Sequence, residues 1–135
     1  MPVGNLSRRD GGHLNPHRSH QSGRDVDIGF ILKKPPKKGI FINTKPEGLH
    51  LYKQWVVLKC FLDNPDTKMI IMERSIVGAM KRYIKRIYKT RKAKLAHYLK
   101  FFPGRRKAVI IADNDHRSHM HIRMKCAKDD KRCRG

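Results

Sequence analysis

The sequence predicts an α+β fold, a small central antiparallel sheet with flanking helices, on three observations. Residues 25–32 and 119–125 begin with the apolar/polar alternation of a strand. Residues 68–72, a lysine followed by four apolar residues, read as a buried strand. Between these segments, Leu51, Trp55, Leu58 and Leu62 recur near helical spacing, and so do Ile76, Met80, Ile84, Ile87 and Tyr88.

Taken in order, residues 1–24 are polar, rich in Gly, Asn, Arg and His, and read as loop. In the strand that follows, Asp25 and Asp27 point one way and Val26 and Ile28 the other, with the aspartates on the exposed face. Residues 33–39 are a basic, proline-rich turn, and residues 40–42 a short edge strand. A helix over 49–62 stops at Asp63-Asn64-Pro65-Asp66, as turn chemistry dictates. Ser75 is placed to cap the second helix, whose wet face carries Lys81, Arg82, Lys85, Arg86 and Lys89. Residues 108–112 read as either a buried strand or the lead-in to a loop. No internal repeat is present. At 135 residues the expectation is one domain spanning 1–135, with a loop-rich segment 1–24 and a tail 126–135.

Thirty-two Lys and Arg against eleven Asp and Glu give a net charge of +21. Such an excess speaks about partners, and anionic polymers are the natural ones: nucleic acid, teichoic acid, anionic lipid or carboxylate-bearing cell wall. No stretch reaches the roughly 18 apolar residues of a membrane helix. No secretory signal is visible after Met1, which leaves an intracellular protein, a mature or truncated form, or another export route. Of the three cysteines, Cys60 lies in an apolar run and reads as a small buried hydrophobe. Cys126 and Cys133 bracket a short polar segment. Either a disulfide pins the chain end there, or the two are unrelated thiols.

The chemistry concentrates in two histidine clusters. The first runs His17-Arg18-Ser19-His20 and continues to Asp25 and Asp27; the second is His116-Arg117-Ser118-His119-Met120-His121. Imidazole and carboxylate together form the ligand set of catalytic zinc, where three protein ligands leave a position for water. On the last strand Met120, Ile122 and Met124 share one face. His119 and His121 share the other, roughly 6–7 Å apart by strand geometry. His13, His50 and His97 read as structural or surface residues. Asp25 could orient a ligand histidine from behind, or be a solvated carboxylate.

Residues 13–29 and 116–133 closely resemble the penicillin-insensitive murein endopeptidases, zinc peptidases of the bacterial cell wall. Residues 55–85 resemble them more loosely. The family is related to the lysostaphin-type and D-alanyl-D-alanine metallopeptidases, whose signature is His-x6-Asp plus His-x-His, and the resemblance implies their fold. It also implies His20, Asp27 and His121 as zinc ligands, with His17 a further metal contact. His119 would be the general base, or the group that steadies the tetrahedral intermediate, and His116 a further active-site histidine. Cys126 and Cys133 match a family disulfide. The implied reaction is hydrolysis of the D-alanyl–diaminopimelyl amide in peptidoglycan cross-links, in the periplasm, without a serine nucleophile. The rival reading is a basic nucleic-acid-binding protein or a metal-dependent nuclease that tracks phosphates with its basic helices. A third is a catalytically dead wall-binding module, which the presence of His20, Asp27 and His121 argues against.

Overall fold

The computed structural model describes residues 1–8, 11–15, 17 and 19–129. Its regular elements are β1 (Asp25–Gly29), α1 (Leu51–Asp63), β2 (Thr67–Glu73), α2 (Arg74–Ile87), α3 (Lys92–Leu99), β3 (Ile110–Asp113) and β4 (His119–Met124). The strands form one four-stranded sheet in the order β1-β4-β2-β3. The expected α+β class is what the chain adopts.

The sheet is mixed rather than wholly antiparallel. β4 pairs antiparallel with both β1 and β2, but β2 and β3 run parallel. The reason lies in the connection. β2 leads through α2 and α3 before β3, and a crossover of that length returns the chain in its original direction. The sequence reading had no helix at α3.

Alternation along the strands sorts their side chains. Ile28, Ile70, Met72, Met120 and Ile122 enter the core, where they meet Trp55, Leu58 and Leu62 of α1 and Ile76, Met80 and Ile84 of α2. Asp25, Asp27, His119 and His121 therefore stand on the sheet face opposite the helices. At the end of the α2 stripe, Ile87 is exposed, while Tyr88 accepts a hydrogen bond from the Trp55 indole at 3.3 Å and stacks on Tyr98.

Four local expectations change. Glu73, not Ser75, caps α2: its carboxylate accepts from the backbone N–H groups of Ser75 at 2.8 Å and Ile76 at 3.1 Å. A carboxylate at that end also suits the helix dipole. Burial raises the Glu73 pKa, but a bond from the Ser75 hydroxyl together with these two backbone bonds outweighs it and holds the group below its ordinary value. Residues 40–42 form no strand; Ile40 and Ile42 are exposed and Phe41 turns toward the histidines. Cys60 is exposed rather than packed, because it falls off the buried stripe of α1. Asp25 and Asp27 are buried, covered by the N-terminal segment and the first histidine cluster. Cys133 lies outside the described residues, and with it the expected Cys126 pairing.

Residues 2–4 do more than a loop would. The Gly4 N–H donates to the Asp27 carbonyl at 2.7 Å, and the Gly29 N–H to the Pro2 carbonyl at 2.9 Å. The segment thus pairs along the free edge of β1 and closes one wall of the site. Gly29 is required by this approach: a Cβ there would sit 2.4 Å from the Pro2 ring.

Candidate metal centre

The β1–β4 register builds the site. Asp27 lies directly opposite His121, Asp25 opposite Arg123, and Gly29 opposite His119. Two strands far apart in sequence thereby bring carboxylates and imidazoles onto one face. The loop before β1 adds His20, whose side chain is wholly buried. Its Nδ1–H donates to the Leu6 carbonyl at 3.0 Å, which turns the Nε2 lone pair inward.

Three donor atoms converge there. His20 Nε2 is 3.2 Å from His121 Nδ1 and 3.4 Å from Asp27 Oδ1, and His121 Nδ1 is 3.0 Å from the same oxygen. A tetrahedral zinc ion with bonds of about 2.0–2.1 Å holds its ligand atoms about 3.3 Å apart. The triangle already has that size, and two nitrogens with one oxygen are a zinc donor set. The residues fit the ion.

His17 stands at the margin. With His20 and Asp27 it forms a group whose ligand atoms lie within 4.8 Å of one another. Its Nδ1 is 3.7 Å from Asp27 Oδ2, and its other nitrogen meets the Asn5 side chain at 3.1 Å. His121 is closer to both His20 and Asp27 than this, so the tighter triad contains His121.

Behind the triad lies a support the sequence showed only in part. His121 donates from Nε2 to Asp25 Oδ1 at 2.8 Å. Arg123 grips Asp25 with Nε at 2.8 Å and Nη2 at 3.1 Å, and Nη2 also reaches the Ser19 carbonyl at 3.2 Å. This fork ties β1, β4 and the first cluster together. Strand alternation was the available signal for Arg123, which follows His119 and His121 on one face. If His121 holds a zinc ion, Asp25→Asn is expected to weaken its binding about 10–100-fold, since the histidine loses its charged partner. Competition against a chromophoric chelator measures this, and unchanged affinity would show that Asp25 leaves His121 untouched.

His119 occupies the edge of the site. Its Nε2 is 3.6 Å from Asp27 Oδ1, its Nδ1 meets Ser118 Oγ at 2.9 Å, and its ring stacks on Phe41 with centroids 5.1 Å apart. The Phe41 loop is held by the Thr44 N–H, which donates to the Arg117 carbonyl at 2.8 Å. Nothing in the sequence pattern marked Phe41. The His116 ring is 5.2 Å from His119 and 6.1 Å from His121, and its Nδ1 donates to Asp113 Oδ2 at 3.0 Å. A cleft of about 400 Å³ opens beside the site, lined by Pro2, Val3, Asn5, His17, Phe41 and His119 among others. His13, His50 and His97 lie elsewhere. They bond Asn15, the Lys53 N–H at the start of α1, and Lys100 respectively.

The electrostatics separate the two histidines of β4. Burial lowers the pKa of His119, and the opposing charge of Asp27 does not restore it, so the ring is neutral at neutral pH. Burial also lowers His121, but its hydrogen bonds and the charges of Asp27 and Asp25 outweigh this and raise it. Burial raises Asp27, yet the bond to His121 and the neighbouring imidazoles hold it below the ordinary carboxylate value. A cation entering the triad must displace the His121 proton, so uptake weakens as pH falls.

Two buried imidazoles and a carboxylate spaced for one cation, with a neutral histidine at the mouth of an open cleft, are what metal-assisted hydrolysis needs. No curated protein matches the chain. A family model described as penicillin-insensitive murein endopeptidase matches residues 1–135, the whole length. That match spans the sheet that makes the site as well as both histidine clusters, and the chain belongs to the penicillin-insensitive murein endopeptidase family.

Proposed function

We propose that this murein endopeptidase is zinc-dependent and hydrolyses the D-alanyl–diaminopimelyl amide of peptidoglycan cross-links. The observation that carries the proposal is the triangle of His20 Nε2, Asp27 Oδ1 and His121 Nδ1, with edges of 3.2, 3.4 and 3.0 Å. These three residues hold the ion, and His17 stands ready as a further contact. When bound, zinc supplies Lewis acidity, lowering the pKa of water toward 7 and polarising a carbonyl.

The protein supplies the rest. His119, neutral and half-exposed at the cleft, accepts a proton at Nε2 from the attacking water and returns it to the leaving amine. Phe41 and Ser118 hold its ring in one plane. His116, fixed by Asp113, lies beside His119 as a further active-site histidine. Asp25 and Arg123 keep the Nδ1 edge of His121 facing inward. The burial of His20 and Asp27 keeps bulk water from competing with the ion for them.

Residues 1–135 act as one peptidase domain. The work site is the periplasm, where murein lies. Among the described residues no helix is long and apolar enough to cross a membrane.

The test is mass spectrometry of purified cross-linked muropeptide dimers after incubation with zinc-loaded protein. The expected products are two monomers, one with a newly freed D-alanine carboxylate and one with a freed diaminopimelyl amine. Intact dimers would refute the peptidase mechanism, and cleavage between other residues would move the specificity.

A further inference from the structure

The positive charge is concentrated away from the site. From Arg74 to Ala112 the chain carries thirteen Lys and Arg and no Asp or Glu. Among the described residues, none of these thirteen is paired with a carboxylate, whereas Lys59 pairs with Asp63 and Arg123 with Asp25. On α2 and just past its end, Arg82, Lys85, Arg86 and Lys89 follow i, i+3, i+4 and i+7 and are all exposed. They form one outward stripe. The opposite stripe of α2 is buried in the core, and the core separates the helix from the sheet face that carries His20, Asp27 and His121. Beside the stripe, a hollow of about 330 Å³ gathers Lys33, Arg82 and Arg86, with Glu47 its acidic member.

Like charges at i, i+4 destabilise a helix; the helix dipole favours Lys85 and Arg86 in the last turn, but no acidic residue within α2 neutralises the stripe. Repulsion of this kind is relieved by an anionic partner from outside. We propose that the outward stripe of α2 is a second docking surface for peptidoglycan, gripping free stem-peptide carboxylates of the polymer whose cross-links the enzyme cuts. The inference rests on the family's murein substrate, not on the zinc mechanism. A stripe on the far side of the core holds one strand of the network while the cleft works on another. Two attachment points then raise the effective concentration of cross-links at the site. A nucleic-acid surface of the single-strand type would present aromatic rings between its cations for base stacking. Here Tyr83 lies under the Arg86 guanidinium, 5.3 Å from its ring centre, and presents no free face on that side.

The experiment is pelleting of the full-length protein with purified sacculi stripped of attached proteins and polymers. One variant combines Arg82→Gln, Lys85→Gln, Arg86→Gln and Lys89→Gln; glutamine keeps helix propensity. A second removes the same charge elsewhere, through Lys45→Gln, Lys53→Gln, Lys68→Gln and Lys128→Gln. The stripe variant is expected to bind about tenfold or more weakly, as four lost exposed ion pairs imply, and the second variant much less so. Amidating the sacculus carboxylates should weaken wild-type binding to the level of the stripe variant. Equal losses in the two variants would reduce the effect to net charge and overturn the proposal. Binding that amidation leaves unchanged, or that is found with a short DNA duplex and not with sacculi, would overturn it too. Because pelleting reads no cleavage, failure here is distinguishable from failure of the peptidase mechanism.

Discussion

His121→Ala is expected to leave the protein without stoichiometric zinc and without measurable cleavage of muropeptide dimers. His121 is the hub of the site: Nδ1 meets Asp27 and His20, and Nε2 meets Asp25. Removing it deletes one of three donors and leaves Asp27 facing His20 alone in the triad. The loss of metal affinity should exceed the roughly 10–100-fold expected when only a supporting partner is changed. The fold should survive, because Arg123 still neutralises Asp25, and the core face of β4 is made by Met120 and Ile122. Metal analysis after gel filtration and circular dichroism on the same sample separate loss of zinc from loss of structure. A folded His121→Ala protein that retains one zinc would remove His121 from the ligand set.

His119→Ala should behave in the opposite way, keeping its zinc and losing about 10²–10⁴ in kcat, the usual worth of a positioned acid–base group. His119 sits one strand alternation from His121, yet its Nε2 is 3.6 Å from Asp27 Oδ1, and the cleft reaches its ring. Burial holds its pKa below the ordinary histidine value, so it is a free base at neutral pH. KM should change little, because the cleft wall keeps Phe41 and Pro2. Zinc content and steady-state kinetics of the same preparation decide the matter. Equal loss of metal in His119→Ala and His121→Ala would exchange or merge the two roles.

Much of this site was legible because β4 obeys a simple rule. Period-2 alternation put His119 and His121 opposite Met120 and Ile122, and the core bears that out. What alternation could not supply was partner and register. That Asp27 pairs with His121, rather than with a residue two places along, is settled by contacts between segments far apart in the chain. Arg123 was hidden for the same reason, since its role exists only once Asp25 stands opposite. Phe41 was misread because its neighbours look like a strand, while the loop is held by the Phe41 stack on His119 and by the Thr44 bond to the segment before β4. The α3 helix was missed because it is only eight residues long and set among cations; packing of Tyr98 against Trp55 and Tyr88 holds it. The parallel β2–β3 pairing stayed hidden because residues 108–112 read equally as strand or loop, and β3 is the strand they form.

The central claim is that His20, Asp27 and His121 hold a catalytic zinc ion, and anomalous diffraction at the zinc edge from a zinc-loaded crystal tests it most directly. The expected result is one strong peak about 2.0–2.2 Å from His20 Nε2, Asp27 Oδ1 and His121 Nδ1, with His119 outside bonding distance. A peak held by His17, His20 and Asp27 with His121 still bonded to both aspartates would contradict it.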